Sequence, residues 1–338
     1  PPTQPSVLFF PFLNFKKKKI LIHNDITLRQ KSNHSTMKII LVLSIFVILK
    51  AKAWSSVRVP FEYLERQNPV EIISECVYVA SKEGDYSYKK VLNLEETTPT
   101  VCGLYIVTDP NKIVEISIKY LDASCDTGAL LAFFDGWELQ GHYFPNEIDH
   151  PLPLDKRSIE FCNHNAEWPF RQLRKRFRSN QNAALLQYRI PIRGSFVATV
   201  KFYNNPEPCN ILAEGTVPLY SLSNYGHKRN CTITTMNPSV ITIRAVNIGA
   251  GHELMNYDCD ILRDRLDIGG SKDFDTMNMQ LSSSVCGHSE KVVRVQGIFC
   301  ELATARLISH GNHNNQVILS IRTADDNDLD AATLVCPL

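Results

Sequence analysis

Residues 134–162 read FDGWELQGHYFPNEIDHPLPLDKRSIEFC, and this stretch decides how the rest of the chain is interpreted. It begins at the end of the dense apolar run from Ala129 to Phe134, which is typical of a central strand in a β-sandwich. Asp135-Gly136 then gives a strong turn signal directly after that strand. The stretch ends in Phe161-Cys162, so a cysteine lies where the loop closes. The pattern favours a β protein built with disulfide bonds.

Alternation of apolar and polar residues recurs along the chain with a period of two, the mark of a half-buried strand. The clearest segments are Val114 to Tyr120, Phe196 to Phe202, Ile241 to Ala245 and Val317 to Ile321. Long helical periodicity is absent. Gln181 to Tyr188 fits a helix by its Ala and Leu content and fits a strand equally well. The sequence therefore predicts an all-β protein.

Ten cysteines form a framework with a repeating arrangement. They fall into two groups of four plus a terminal pair: Cys76, Cys102, Cys125, Cys162, then Cys209, Cys231, Cys259, Cys286, then Cys300 and Cys336. An alternating segment lies between the second and third cysteine of each group, so one domain is used twice. Spacing does not determine connectivity, since even eight cysteines allow 105 pairings. Pairing of sequential neighbours is the most economical hypothesis.

The order of segments predicts a protein exported from the cell. We divide the chain into a leader that precedes the first methionine and is interpreted as untranslated-region-derived or non-native (1–36), a signal peptide (37–53), an N-terminal segment (54–75), a first domain (76–204) and a second domain (205–338). A short basic region, an apolar run too short for a membrane span and a small-residue cleavage site define the signal peptide. The alternative for 1–36 is an upstream start with an internal signal anchor. An even number of cysteines after the signal indicates an oxidising compartment.

Composition limits the classes of partner. Apolar residues make up 44% of the chain and charged residues 21%, which is a globular composition. The formal net charge is +1, so no overall field favours nucleic acid or an anionic membrane. We predict no nucleic-acid partner and no membrane insertion after signal cleavage.

Several short segments match part of a catalytic or metal-binding motif, but none of the matches is complete. His252-Glu253 lacks the second histidine of a zinc-protease helix, and Ser87 to Lys90 fits S-x-x-K without its partner motifs. His310 and His313 near Cys300 resemble a zinc pair, but Cys300 is expected in a disulfide bond. We predict no enzyme activity, no metal and no cofactor.

Three surface features remain open. Arg171 to Arg178 reads RQLRKRFR; it is interpreted as a solvated basic loop, a proprotein-convertase site cleaved after Arg176, or a surface that attracts an acidic peptide or heparin. Trp137 and Trp168 flank turns and are either core residues or anchors for a peptide. Asn230-Cys231-Thr232 is an N-glycosylation acceptor, which predicts a glycan on Asn230.

Paired four-cysteine β modules resemble CUB domains, and particular strings narrow the resemblance. FDGW, FP, DHPLP and FC of residues 134–162, Ser179-Asn180-Gln181-Asn182, Pro208-Cys209-Asn210 and Arg229-Asn230-Cys231 are similar to the corticotropin-releasing factor-binding protein family. The resemblance runs from Cys76 to Cys336. It implies two CUB-like sandwiches with cysteines paired as sequential neighbours. It also implies a secreted glycoprotein that sequesters corticotropin-releasing factor (CRF) or a related peptide, such as a diuretic hormone.

The chain departs from those patterns at two places. Calcium-binding CUB domains carry an acidic residue a few positions after the third cysteine, and the segment after Cys125 lacks it, although Glu115, Asp126 and Asp135 lie in the same domain. The residues around Cys76 are divergent, which leaves the preferred ligand open. No residue is assigned as a ligand contact. The rival function is a generic extracellular CUB module for adhesion or matrix binding.

Overall fold

The computed structural model describes residues 69–91, 100–123, 128–161, 176–215, 217–249, 259, 264–290 and 294–337. The predicted leader and signal peptide lie outside these residues. Within them, no helix has the length and apolar character needed to cross a membrane.

Alternating residues of the first half build one β-sandwich. One sheet has the order β1-β3-β12-β5-β10 and the other β2-β4-β11-β6-β9, with a separate β7-β8 hairpin. The elements are β1 Glu71–Ile72, β2 Val77–Ala80, β3 Gly84–Lys89, β4 Cys102–Val107, β5 Lys112–Asp122, β6 Leu130–Phe134, β7 Trp137–Leu139, β8 His142–Phe144, the helix α1 Leu154–Arg157, β9 Ser158–Glu160, β10 Arg176–Arg178, β11 Ala183–Arg189 and β12 Ser195–Asn204.

The second half builds another sandwich. Its sheets have the orders β13-β15-β21-β17-β18 and β14-β22-β16-β20-β23, and β19 pairs with β16. The elements are β13 Asn210–Ala213, β14 Tyr220–Ser223, β15 Cys231–Thr235, β16 Ser239–Ile248, β17 Arg265–Ser271, β18 Gln280–Val285, β19 Gly287–Ser289, β20 Arg294–Phe299, β21 Leu302–Ile308, β22 Gln316–Thr323, a 3₁₀ helix Asp326–Ala331 and β23 Ala332–Val335.

The two sandwiches repeat one topology, as the cysteine spacing suggested. The parallel pair β2 and β4 corresponds to β13 and β15, and the order β4-β11-β6-β9 corresponds to β15-β21-β17-β18. The long central pair of each opposite sheet, β5 with β12 and β16 with β22, carries a register shift. The all-β prediction with two sandwiches is confirmed.

The period-two pattern places the core where it was expected. Val114, Ile116 and Ile118 are fully buried between the sheets of the first sandwich, and Ile241 and Ile243 are buried in the second. The ambiguous segment from Gln181 to Tyr188 is mostly strand β11. Its helical propensity is overridden because both faces of the strand are covered, and a strand buried on both sides reads as a continuous apolar run.

Four disulfide bonds join cysteines that are neighbours in sequence: Cys76–Cys102, Cys209–Cys231, Cys259–Cys286 and Cys300–Cys336. The first two tie the chain before β2 and β13 to the starts of β4 and β15. Each closes 22 to 36 residues and stabilises the fold by about 3–4 kcal/mol through the unfolded chain. Cys125 and Cys162 lie outside the described residues, so their bond stays a prediction.

Candidate functional site

The stretch after β6 folds back as a hairpin and a loop. Gly136 occupies a left-handed backbone conformation with φ of 117°, and a Cβ atom there would lie 2.1 Å from the carbonyl oxygen of Phe144. Only glycine fits this close approach. The turn predicted at Asp135-Gly136 is therefore required for the hairpin to pack against its own strand.

Asp135 is a buried carboxylate that collects hydrogen bonds from two segments. The backbone N–H of Asn180 donates to Oδ1 over 2.8 Å, and the Gln181 amide donates to the same oxygen over 2.7 Å. The His150 ring lies 3.2 Å from Oδ2. Asp135 thus joins three strings that carry the sequence resemblance: FDGW, DHPLP and the 179–182 segment.

Arg157 also stabilises this loop. Its guanidinium is buried and donates to three backbone carbonyls, those of Asp135, Phe144 and Pro145, over 2.8–3.2 Å. Its plane lies over the Phe134 ring. Burial lowers the pKa of Arg157 to about 10, although the nearby Asp135 opposes that shift. The arginine remains charged at neutral pH and satisfies carbonyls that water cannot reach.

Asp149 connects the first sandwich to the second. Arg306 on β21 donates to both carboxylate oxygens over 2.7–3.0 Å, and the hydroxyls of Thr232 and Thr276 donate over 3.1 Å. The side chains of Asp149 and Arg306 are 0% and 9% exposed. In a charge pair shielded to this degree, loss of either partner leaves the other charge buried and unpaired, so the structure depends on both. We call Asp149 and these partners the junction bolt.

Further contacts make the junction continuous. The Asn182 side chain exchanges two hydrogen bonds with the backbone of Leu212, over 2.8 and 2.9 Å. Around the bolt lies an apolar cluster that draws on both sandwiches: Val107, Phe134, Trp137, Phe144, Ala183 and Leu185 from the first, and Leu212, Phe274 and Leu302 from the second. Packed apolar surface and bonded polar groups together hold the two sandwiches in one fixed arrangement.

Trp137 is part of this core and is not a ligand anchor. The indole is buried, its N–H donates to the Ile106 carbonyl over 2.9 Å, and its ring packs edge-on against Tyr105. The peptide-anchor interpretation is wrong for Trp137, while Trp168 lies outside the described residues. Trp137, in the most recognisable part of the sequence, therefore stabilises the fold.

Exposed aliphatic side chains concentrate at one edge of the first sandwich. They are Val70, Ile72, Val77, Val79 and Val101, each between 47% and 74% exposed, and we call them the apolar edge. β1 is the edge strand of one sheet and β2 the edge strand of the other, so both bound the same side of the sandwich. Grouped exposed aliphatics mark interaction surfaces more often than single ones do.

Local bonds hold the apolar edge in place. The Tyr78 hydroxyl donates to Glu71, which joins β2 to β1, and this hydrogen bond raises the pKa of Tyr78 to about 12. Val77 and Val79 alternate with Tyr78 and Ala80, which point into the core, so both valines face outward. Beside them the Tyr105 ring lies across Gly103, where a Cβ atom would come within 2.5 Å of that ring.

A cleft of about 430 Å³ opens where β2 ends. Ser81, Lys82 and Glu83 directly follow β2 and line it. Both sandwiches contribute apolar walls, with Val107, Pro110 and Phe202 from the first and Leu212, Val217 and Tyr220 from the second. The chain that follows strand β2 of the apolar edge therefore forms part of the cleft wall.

Candidate metal ligands are engaged by the protein itself. Glu115 bonds Arg178 and Tyr203, and Asp135 is saturated as described. His310 pairs with Asp264, and Cys300 is in a disulfide bond, so Cys300 offers no thiolate to a metal beside His310. In the described ranges, no group of three or more His, Cys, Asp or Glu residues has a metal-binding arrangement. Asp126 and His252-Glu253 lie outside those ranges.

The basic stretch ends inside the fold. Arg176–Arg178 form edge strand β10, and Phe177 is buried against Phe133 and Phe161 with ring centroids 5.8 and 4.8 Å away. Proteases bind extended, accessible chain, so cleavage after Arg176 requires β10 to leave its sheet. The folded state disfavours the convertase interpretation.

Comparison with known proteins places these features in a family. The model of the corticotropin-releasing factor binding protein N-terminal domain matches residues 71–204, and the model of the C-terminal domain of the same family matches residues 212–330. The chain belongs to the corticotropin-releasing factor-binding protein family. The first matched range spans the first sandwich and the second spans most of the second sandwich, so the family resemblance seen in the motif strings is confirmed.

Relatives in vertebrates are distant but similar along most of their length. The corticotropin-releasing factor-binding protein of Homo sapiens is 25% identical over 272 residues, covering 79% of this chain and 81% of the relative. That of Ovis aries is 26% identical over 260 residues, covering 75% and 76%. Among solved structures, the CUB1-EGF-CUB2 domains of rat MASP-1 are 10% identical with a TM-score of 0.24, covering 73% of this chain and all of that one. A TM-score this low says nothing about function.

The cysteine framework and the family strings were recognisable in the sequence of this binding-protein family member, but two features of the structure were not. The apolar edge escaped notice because β2 has only four residues, too few for a clear alternation. The junction bolt escaped notice because Asp149 and Arg306 are 157 residues apart. The position of Asp149 in the DHPLP string marked it as part of a family motif but not as a contact with the second sandwich.

Proposed function

We propose that this protein is secreted, binds a peptide hormone of the CRF type and, by holding it, keeps it from its receptor. Membership of the family across both sandwiches carries this proposal. A diuretic hormone related to CRF is the proposed native ligand. The described disulfide bonds and the buried junction support a rigid surface, which lowers the ordering cost of binding.

We propose the apolar edge as the surface that takes the peptide. CRF-type hormones can form amphipathic helices, and a helix binds by laying its apolar stripe on an apolar groove. Val77 and Val79 face outward from a strand whose other face is already fixed in the core, so no rearrangement is needed to receive the stripe. Strand β2 leads into the cleft, where residues of the second sandwich add contacts. In this arrangement, binding would use both sandwiches.

Replacing both outward valines tests that surface. The V77D/V79D variant is expected to lose about a hundredfold in affinity for an amidated CRF-like diuretic hormone, because two carboxylates are desolvated against an apolar stripe. The change leaves the core face of β2 untouched. Affinity is measured by competition against a labelled peptide.

V295D/V335D is the matched control. Val295 and Val335 lie on strands of the second sandwich and are 54% and 59% exposed, close to Val77 and Val79 at 59% and 57%. The control is expected to bind like the wild type. Equal affinity of both variants contradicts the proposed surface, while wild-type protein that binds no CRF-like peptide contradicts the function itself.

We further propose that Asn230 carries a glycan added before folding. Asn230 is partly exposed, but the hydroxyl of Thr232, which completes the acceptor motif, is buried on Asp149 in the folded state. Transfer therefore has to precede formation of the junction. Enzymatic removal of N-glycans is expected to shift the mobility of secreted wild-type protein and not that of N230Q.

A further inference from the structure

A band of cations crosses the outer face of the first sandwich. Arg176 and Arg178 lie on edge strand β10, Lys119 on β5 and Lys201 on β12. All four side chains are exposed. We call these four residues the basic band.

The carboxylates that hold the band lie beneath it. The Arg178 guanidinium bonds Glu115 over 2.7 Å, and the Lys119 ammonium bonds Asp85 over 2.7 Å. Glu115 is 4% exposed at its side chain, whereas Arg176 and Arg178 are 65% and 54% exposed. Arg178 also lies over the Tyr203 ring at 4.8 Å. The two carboxylates hold Arg178 and Lys119 in position, and the exposed side chains above them are positive.

Charge is distributed unevenly between this band and the rest of the chain. Residues 1–53 contribute +8 to the formal net charge of +1, which leaves −7 on residues 54–338. Against that acidic background, residues 171–178 hold five cations and no carboxylate. A positive surface on this acidic part of the chain is an electrostatic feature of its own and not a consequence of composition.

We infer that the basic band binds a sulfated polysaccharide. Strands β12, β5 and β10 are neighbours in one sheet, and adjacent strands lie about 4.8 Å apart, so their exposed cations form an extended row that matches the repeating anions of a linear chain. Arg176 and Ser117 are paired across β10 and β5, which places a hydroxyl donor beside a guanidinium. Among the residues that the structure describes on β5, β10 and β12, no exposed aliphatic cluster such as the apolar edge accompanies the band, so the surface suits a polar chain better than a peptide helix. This inference is independent of the proposed hormone binding.

Chromatography on immobilised heparin, with a salt gradient, tests the inference. Wild-type protein is expected to be retained at about 0.15 M salt, and R176Q/K201Q is expected to elute earlier with affinity about tenfold weaker. R244Q/K272Q is the matched control, because it also removes one arginine and one lysine, both exposed and in the second sandwich. The control is expected to elute with the wild type.

Footprinting of the unmodified protein provides a second test that does not depend on how a variant folds. Heparin is expected to protect Lys119 and Lys201 from acetylation and to leave Lys228 and Lys272 reactive. Flow-through of the wild type at about 0.15 M salt, equal elution of the two double variants, or equal acetylation of all four lysines overturns the inference. So does an R176Q/K201Q variant that keeps heparin binding and loses the CRF-like peptide, since that result assigns the band to an acidic peptide.

Discussion

Replacing Asp149 by alanine is expected to lower the free energy of unfolding by about 3–5 kcal/mol. The substitution removes the anion that pairs with Arg306 and leaves a buried guanidinium without compensation. It also leaves the buried hydroxyls of Thr232 and Thr276 without their acceptor. Equilibrium denaturation by urea, with the disulfide bonds intact, measures the change.

D109A is the control for that experiment. Asp109 pairs with Lys112 on an exposed surface, where a salt bridge contributes about 0–1 kcal/mol. A loss below about 1 kcal/mol for D149A, equal to that of D109A, contradicts the role of the junction bolt. A separate early transition for D149A, in which one sandwich unfolds first, supports it.

Replacing Arg157 by methionine is expected to cost about 3–5 kcal/mol as well. Three carbonyl oxygens, those of Asp135, Phe144 and Pro145, lose their only described side-chain donor and remain buried. Methionine keeps much of the apolar contact with Phe134, so the loss reports hydrogen bonds and charge more than volume. Thermal and urea unfolding of the secreted protein give the magnitude.

Two further variants bracket the effect of Arg157. R157K keeps the charge but lacks the planar fork, so it is expected to recover only part of the lost stability. R244M removes an exposed arginine whose described bond is to Ser320 over 3.2 Å, and it is expected to change stability by less than about 0.5 kcal/mol. Similar losses in R157M and R244M contradict the proposed role of the buried fork.

Much of the fold was predictable because its signals are local. Period-two alternation identified β5, β12, β16 and β22, whose inward side chains form the two cores. Neighbour pairing of cysteines agrees with the four described bonds, since each closes a short loop within one sandwich. The Asp135-Gly136 turn was predictable because Asp-Gly directly after a strand is a local turn signal, whereas the close approach of Gly136 to the Phe144 carbonyl was not.

Other features depend on contacts that no local pattern encodes. The segment 134–162 was recognised from its sequence only as a family signature. In the structure, Asp135 and Arg157 stabilise the loop, and Asp149 contacts the second sandwich. The sequence of strand β11 fits a helix equally well. The residues that bury its second face, Leu212 and its neighbours, belong to the other sandwich, so no local pattern reveals that burial. The apolar edge became visible only when two very short edge strands were placed side by side.

The junction relates stability to function. If the CRF-like peptide follows β2 into the cleft, its contacts depend on both sandwiches being held by Asp149 and Arg306. Loosening the junction in D149A then weakens peptide binding as well as folding, whereas V77D/V79D weakens binding alone. The two variants separate the supporting structure from the contact surface.

Calorimetric titration of the secreted wild-type protein with an amidated CRF-like diuretic hormone tests the central claim most directly. We expect one-to-one binding with nanomolar affinity, corresponding to about −12 kcal/mol, and a negative heat-capacity change from burial of apolar surface. Folded protein that gives no heat at any temperature and does not compete with the receptor for the hormone contradicts the account.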